Sequence, residues 1–116
     1  MHTSSLRVEL IYDRTCPNVD RARATIRAAL IDVGLSPDWT EWDRDDTRTP
    51  AEFRGFGSPT ILVNGRDVSG AEDFRAEANS CRVYADEEGG LSGVPSMRDI
   101  TRAIRDAQTR GAPASR

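Results

Sequence analysis

Leu6-Arg7-Val8-Glu9-Leu10-Ile11-Tyr12-Asp13-Arg14-Thr15-Cys16-Pro17-Asn18-Val19 is the stretch that decides the fold of this chain. Leu6, Val8, Leu10 and Tyr12 alternate with Arg7 and Glu9, the period of a strand with one face in a core, and Ile11 covers part of the other face. The alternation stops at Asp13. Pro17 then suits the first position of a helix, which makes Cys16 the expected N-cap. Val19, Ala22, Ile26, Ala29, Leu30 and Val33 recur at helical spacing, and Gly34 supplies the stop. Arg21, Arg23 and Arg27 fall mainly on the opposite side, where solvent is expected. A cysteine at such a junction has chemical meaning. The positive end of the helix dipole and unpaired backbone N–H groups favour the thiolate, which is both the nucleophile and the soft-metal ligand.

Beyond Ser36-Pro37, the segment Asp38 to Asp43 reads as a second strand carrying Trp39 and Trp42, and the run Asp43-Arg44-Asp45-Asp46 is too charged for a core. Thr49-Pro50-Ala51-Glu52-Phe53 predicts a short helix with Thr49 as cap and Glu52 closing a capping box. Gly55-Phe56-Gly57-Ser58 breaks it, and Pro59 leads into Thr60-Ile61-Leu62-Val63, a short buried strand. Asn64-Gly65 is a hairpin turn returning through Arg66-Asp67-Val68. From Ser69 to Pro95 the pattern weakens. Ala71 to Ala78 has room for a helical turn or two, and Glu87-Glu88-Gly89-Gly90 reads as loop; so long a stretch inside a compact domain is often functional. Ser96 caps a final helix, with Asp99 at the capping-box position and Met97, Ile100, Ala103, Ile104 and Ala107 as its apolar stripe. Residues 111–116 read as a frayed tail, and there are no internal repeats. This order implies one α/β domain over residues 1–116. Its first two strands run parallel through a right-handed crossover, and the hairpin adds an antiparallel edge. The expected closure is a mixed four-stranded sheet with helices on both faces.

At 116 residues the chain is large enough for one core and not for two. A net charge of −3 with both signs interspersed leaves no basic face for nucleic acid. All 16 basic residues are arginine, which reads as a coding bias. No apolar run is long enough to span a bilayer, so no membrane partner is expected. Met1-His2-Thr3-Ser4-Ser5 lacks the basic start and apolar run of a signal peptide, and the cytoplasm is the expected compartment. Two cysteines, Cys16 and Cys81, are too few for a disulfide framework; in a reducing compartment they read as reactive, metal-binding or buried. His2 is the one histidine, so neither a cysteine–histidine pair nor a closed four-ligand zinc site is expected, and no cofactor is implied.

Cys16-Pro17 after the first strand, Gly57-Ser58-Pro59-Thr60 before the third, and Asn64-Gly65 between the third and fourth together resemble the thioredoxin superfamily. The resemblance covers most of Leu6 to Ala107, with Ser69 to Pro95 as an insertion. It implies a thioredoxin-like fold in which a cis Ser58–Pro59 bond lies opposite Cys16. The Ser58 backbone is then left exposed for strand-like pairing with an extended substrate, and Ser58, Pro59, Thr60 and Arg14 line the substrate position. Without the resemblance, Pro59 reads equally well as a trans proline opening a strand.

Val19 stands where a dithiol member of the family carries its second cysteine, so a local resolving thiol is missing. Three roles are open to Cys16: a monothiol served by glutathione or another thiol, a partner of Cys81, or a ligand or inert cap. Cys81 lies in Asn79-Ser80-Cys81-Arg82-Val83-Tyr84. It reads as a small buried hydrophobe, or, with Arg82 beside it, as a second reactive thiol in an insertion able to fold back over the Cys16 end of the sheet. Arg14 favours a thiolate while Asp13 and Asp20 oppose it; each also reads as a solvated charge. Cys-Pro-Asn-Val, Ser-Pro-Thr-Ile before Asn-Gly, and Cys-Arg-Val-Tyr are similar to bacterial proteins described as thioredoxin-family or alkylmercury-lyase-like, though the chain is short for a full organomercurial lyase.

The expected function is thiol–disulfide exchange, with Cys16 attacking and Cys81 resolving, on a disulfide-bearing protein or a low-molecular-weight thiol. Two alternatives stand beside it. One is capture of mercury(II) by Cys16 and Cys81 as paired thiolates, which their softness allows. The other is a non-catalytic interaction domain whose loops at Cys16, Ser58 and Cys81 bind a partner.

Overall fold

Strand β1 (Val8–Tyr12) is the centre of a sheet built around the opening stretch of the chain. A computed structural model describes residues 6–70 and 82–111. After β1 come α1 (Val19–Asp32), β2 (Thr40–Asp43), the one-turn α2 (Ala51–Arg54), β3 (Thr60–Val63) and β4 (Arg66–Asp67). A small hairpin of β5 (Tyr84–Ala85) and β6 (Leu91–Ser92) precedes α3 (Met97–Gly111). The main sheet has the order β2-β1-β3-β4, with β1 parallel to β2 and antiparallel to β3, and β4 antiparallel to β3. The expected mixed four-stranded sheet is therefore present.

The registers sort side chains onto two faces. Val8 pairs with Val63 and Leu10 with Ile61, and these four pack with Ala22, Ile26, Ala29, Leu30, Ile100 and Ile104 from α1 and α3. On the opposite face Ile11 is paired with Thr60 and with Trp42, and Phe53 of α2 stacks on the Trp42 ring at 5.3 Å. Helices thus lie on both faces, although α2 supplies little more than Phe53. Trp42 Nε1 donates to the buried Glu9 carboxylate at 3.0 Å, which satisfies a charge that the strand alternation carries inward.

Local signals explain the boundaries. Gly34, at φ +82°, ends α1: its N–H reaches Ile31 O while Leu35 N–H reaches Leu30 O, the two bonds of a Schellman closure. Asn64 and Gly65 both have positive φ, as a two-residue hairpin turn requires, and Asn64 also ties the turn to Arg7 through two hydrogen bonds. Ser96 Oγ accepts from Asp99 N–H at 3.0 Å, as expected of a cap.

Several expectations are corrected. The N-cap of α1 is Asn18, so Cys16 precedes the cap by two residues and is not itself the cap. The N-cap of α2 is Pro50 and makes no side-chain cap bond; the Thr49 hydroxyl instead donates to Asp43 O at 2.6 Å, and no capping box forms. Trp39 lies just before β2, and Gly111 is the last residue of α3. Arg23 is not simply solvated: its guanidinium meets both Glu41 oxygens at 2.9 Å, clamping α1 to β2, while Arg27 lies over the Trp39 ring. Glu87-Glu88-Gly89-Gly90 is the connection between β5 and β6. The possible turn over 71–78, Cys81 and residues 112–116 lie outside the described residues.

No described helix is long and apolar enough to cross a membrane. Ile26 is fully buried between α1, β1 and α3, and Ile26→Ala is expected to lower unfolding stability by about 2–5 kcal/mol, read as a lower urea midpoint at unchanged slope.

Candidate functional site

At the end of the sheet where β1 stops, β3 begins and α1 starts, the loop carrying Cys16 meets the loop carrying Ser58. Asp13 organises the first loop. Its carboxylate accepts from Thr15 N–H at 2.9 Å and from Thr15 Oγ at 2.7 Å, and its carbonyl accepts Cys16 N–H at 2.8 Å. Asp13 N–H in turn donates to Ser58 Oγ at 2.9 Å, tying the two loops together. Asp13 is thus a buried structural anchor, not a solvated charge. The Thr15 hydrogen bonds, helped by the charges of Arg44 and Arg14 and opposed by burial, hold its carboxyl below the ordinary range.

Cys16 is a free, buried cysteine, 8% exposed. Its thiol donates toward Ser58 O at 3.9 Å, a long contact. The Ser58–Pro59 bond is cis. Ser58 is only 1% exposed, and its carbonyl also accepts the Arg82 N–H at 2.9 Å. The expectation of an exposed Ser58 backbone is therefore corrected, because the chain's own later segment lies on it. The following carbonyl is engaged as well: the Tyr84 hydroxyl donates to Pro59 O.

Below these contacts sits a buried ion pair. The Arg82 guanidinium meets the Asp67 carboxylate, with side chains 5% and 2% exposed. Arg82 also reaches Thr60 Oγ1 at 3.1 Å and Ser69 Oγ at 3.3 Å, and lies over the Tyr84 ring at 4.6 Å. Thr60 Oγ1 donates to Gly57 O at 2.7 Å, so it spans the loop and the ion pair. Burial raises the Tyr84 phenol above its ordinary range; the Arg82 charge works against this, while Asp67 and Cys16 reinforce it. The hydroxyl is held as a donor.

The other expected site residues fall as follows. Arg14 is bound by Asp43 at 2.8 Å and is directed to the end of β2. Asp20 is exposed and paired with Arg23. Cys81 lies outside the described residues. Among the described residues no three histidine, cysteine, aspartate or glutamate side chains gather into a group able to hold a metal ion. The residues missed by the sequence reading are Asp67, Tyr84 and the guanidinium of Arg82, which sequence treats only as a neighbour of Cys81. Arg44 is a further surprise. Within the charged run after β2, its Nε and Nη1 are buried without a hydrogen-bond partner.

Comparison with known proteins is silent. No protein-family model, curated protein or solved structure matches the chain. What the site can do is therefore read from its own chemistry: one buried thiol, two engaged loop carbonyls and a salt-bridged segment folded over them.

Two predictions follow from this geometry. Asp67→Ala breaks the buried Arg82–Asp67 ion pair and is expected to lower stability by about 3–5 kcal/mol in urea unfolding, with much of the loss recovered in Asp67→Leu combined with Arg82→Met. The Asp13 carboxyl has a lowered folded pKa, so its contribution is present above the unfolded value of about 4 and is lost as pH falls through the depressed one. Asp13→Asn is expected to flatten the acid limb of stability against pH, measured by thermal melting across that window.

Proposed function

We propose that this chain is a thioredoxin-like thiol–disulfide exchange protein with Cys16 as nucleophile and Cys81 as resolving thiol. The observation that carries the reading is the Cys16 thiol lying 3.9 Å from the carbonyl of Ser58, the residue joined to Pro59. The sheet order β2-β1-β3-β4, the cis bond before Pro59 and the position of Cys16 between β1 and α1 support the thioredoxin-like assignment. Arg82, which follows Cys81 in sequence, sets its amide on the same Ser58 carbonyl. That shared acceptor supports Cys81 as the second thiol.

In the exchange, the Cys16 thiolate attacks one sulfur of a disulfide RS–SR′. The S–S bond breaks, Cys16–S–S–R forms, and R′S⁻ leaves and takes up a proton. The Cys81 thiolate then attacks the Cys16 sulfur and expels RS⁻, which is protonated in turn. The protein's two thiols are oxidised to one disulfide as RS–SR′ is reduced to RSH and R′SH. A cytoplasmic thiol pool would return the protein to its dithiol form.

The test is incubation of the full chain with oxidised glutathione, followed by mass spectrometry. Wild type is expected to end as an intramolecular disulfide and Cys81→Ser as a glutathione adduct on Cys16. Cys16→Ser is expected to slow glutathione release by at least about a hundredfold, equivalent to roughly 2.7 kcal/mol of barrier. A Cys16→Ser chain that reacts as fast as wild type would remove the reading.

A further inference from the structure

The segment from Arg82 to Pro95 covers the Cys16 site in a specific way. Arg82 N–H takes the Ser58 carbonyl, and the Tyr84 hydroxyl takes the Pro59 carbonyl. Two successive backbone acceptors beside the thiol are thus filled by the chain itself. The Arg82–Asp67 ion pair holds the start of this strap, and β5 and β6 carry it across the beginning of α1. There Arg21 Nη2 donates to Ser92 Oγ at 3.2 Å. At Gly93 the backbone comes so close to the Asn18 side-chain amide that an added Cβ would collide with it. Val94 joins the core cluster, and Pro95 is fully buried. The strap is anchored at both ends and in the middle.

An extended polypeptide gains its affinity for a sheet edge from main-chain hydrogen bonds to unfilled N–H and C=O groups. Here the carbonyls next to the nucleophile are already used, and the thiol is 8% exposed. A small molecule needs no such ladder. We infer that the strap, through the Arg82 amide and the Tyr84 hydroxyl, makes Cys16 selective for small thiol-reactive molecules, such as low-molecular-weight disulfides, and excludes extended polypeptide disulfides. The inference rests on the thiol–disulfide reading above and narrows its substrate class. In the chemical step, the Cys16 thiolate bonds to the R sulfur of R–S–S–R′, the S–S bond breaks, and R′S⁻ leaves with the electron pair.

The experiment uses the full chain with Cys81→Ser, so that Cys16 is the one thiol. It compares two reagents with one leaving group: the mixed disulfides of 2-nitro-5-thiobenzoate with cysteamine and with a cysteine in a linear peptide. Release of the coloured thiolate gives each rate, divided by the rate of the same reagent with the urea-unfolded chain. The normalised rate is expected to favour the cysteamine reagent by at least about tenfold, the scale set by losing one or two hydrogen bonds to the peptide. Arg82→Ala, which keeps the amide but removes the guanidinium that pins the strap to Asp67, is expected to shrink that preference by speeding the peptide reagent. Should Arg82→Ala fail to fold, Tyr84→Phe, which removes a single hydroxyl, is expected to move the ratio in the same direction. Equal normalised rates for the two reagents overturn the inference and leave the thiol–disulfide reading standing. So does a preference that neither variant changes. No adduct with either reagent on the folded chain removes the thiol–disulfide reading, and this inference with it.

Discussion

Asp67 is carried into the interior on a two-residue edge strand, and a buried carboxylate holds its charge only when an opposite charge meets it there. Arg82 supplies that charge from a part of the chain beyond the hairpin. Once its guanidinium is committed to Asp67, Thr60 and Ser69, the Arg82 amide falls on Ser58 O and the Tyr84 hydroxyl on Pro59 O. The loop opposite Cys16, the burial of the thiol and the path of the β5–β6 hairpin all follow from this one constraint. A buried ion pair adds little stability over a well-packed apolar pair of the same volume. What it adds here is direction: a guanidinium fork fits only one arrangement of its acceptors.

The main sheet was legible because its signals are local and cooperate. Alternation gave β1, helical spacing and Gly34 gave α1 and its end, and Asn64-Gly65 gave the hairpin register. The cap positions were less legible. Pro17 suits a first helical turn, yet the Asp13–Thr15 hydrogen bonds form a separate turn at Cys16 and postpone the helix to Val19. The strap was not legible, and its composition explains why. Arg82, Val83, Tyr84 and Ala85 do alternate in burial, but Arg82 is buried and Val83 is exposed. Hydropathy reads such a segment upside down. Partners distant in sequence, Asp67 and Thr60 among them, make an inward arginine stable.

The same reasoning applies to the candidate site. Sequence pointed to Cys16 because it sits at a junction of strong local signals, and to Ser58–Pro59 only through the resemblance its motifs carry. It did not reveal that Ser58 would be covered, since that depends on a hydrogen bond to a residue 24 positions later in a segment without a clear pattern. The Asp13 carboxylate was misjudged for a related reason. A charge in a loop beside Arg14 reads as solvent-facing unless its hydrogen-bond donors, here the backbone and hydroxyl of Thr15, are weighed with it.

The two tryptophans lie at and just before β2. Trp39 Nε1 is bound to Glu41 and Trp42 Nε1 to Glu9, and Trp42 stacks on Phe53. Intrinsic fluorescence from this chain therefore reports the β2 margin of the sheet. The strap is optically marked by Tyr84, whose hydroxyl rests on Pro59 and whose ring lies under Arg82. The strap thus carries its own chromophore, so its loosening changes the surroundings of a phenol held by Arg82 and Pro59, while neither indole has a hydrogen-bond partner on it.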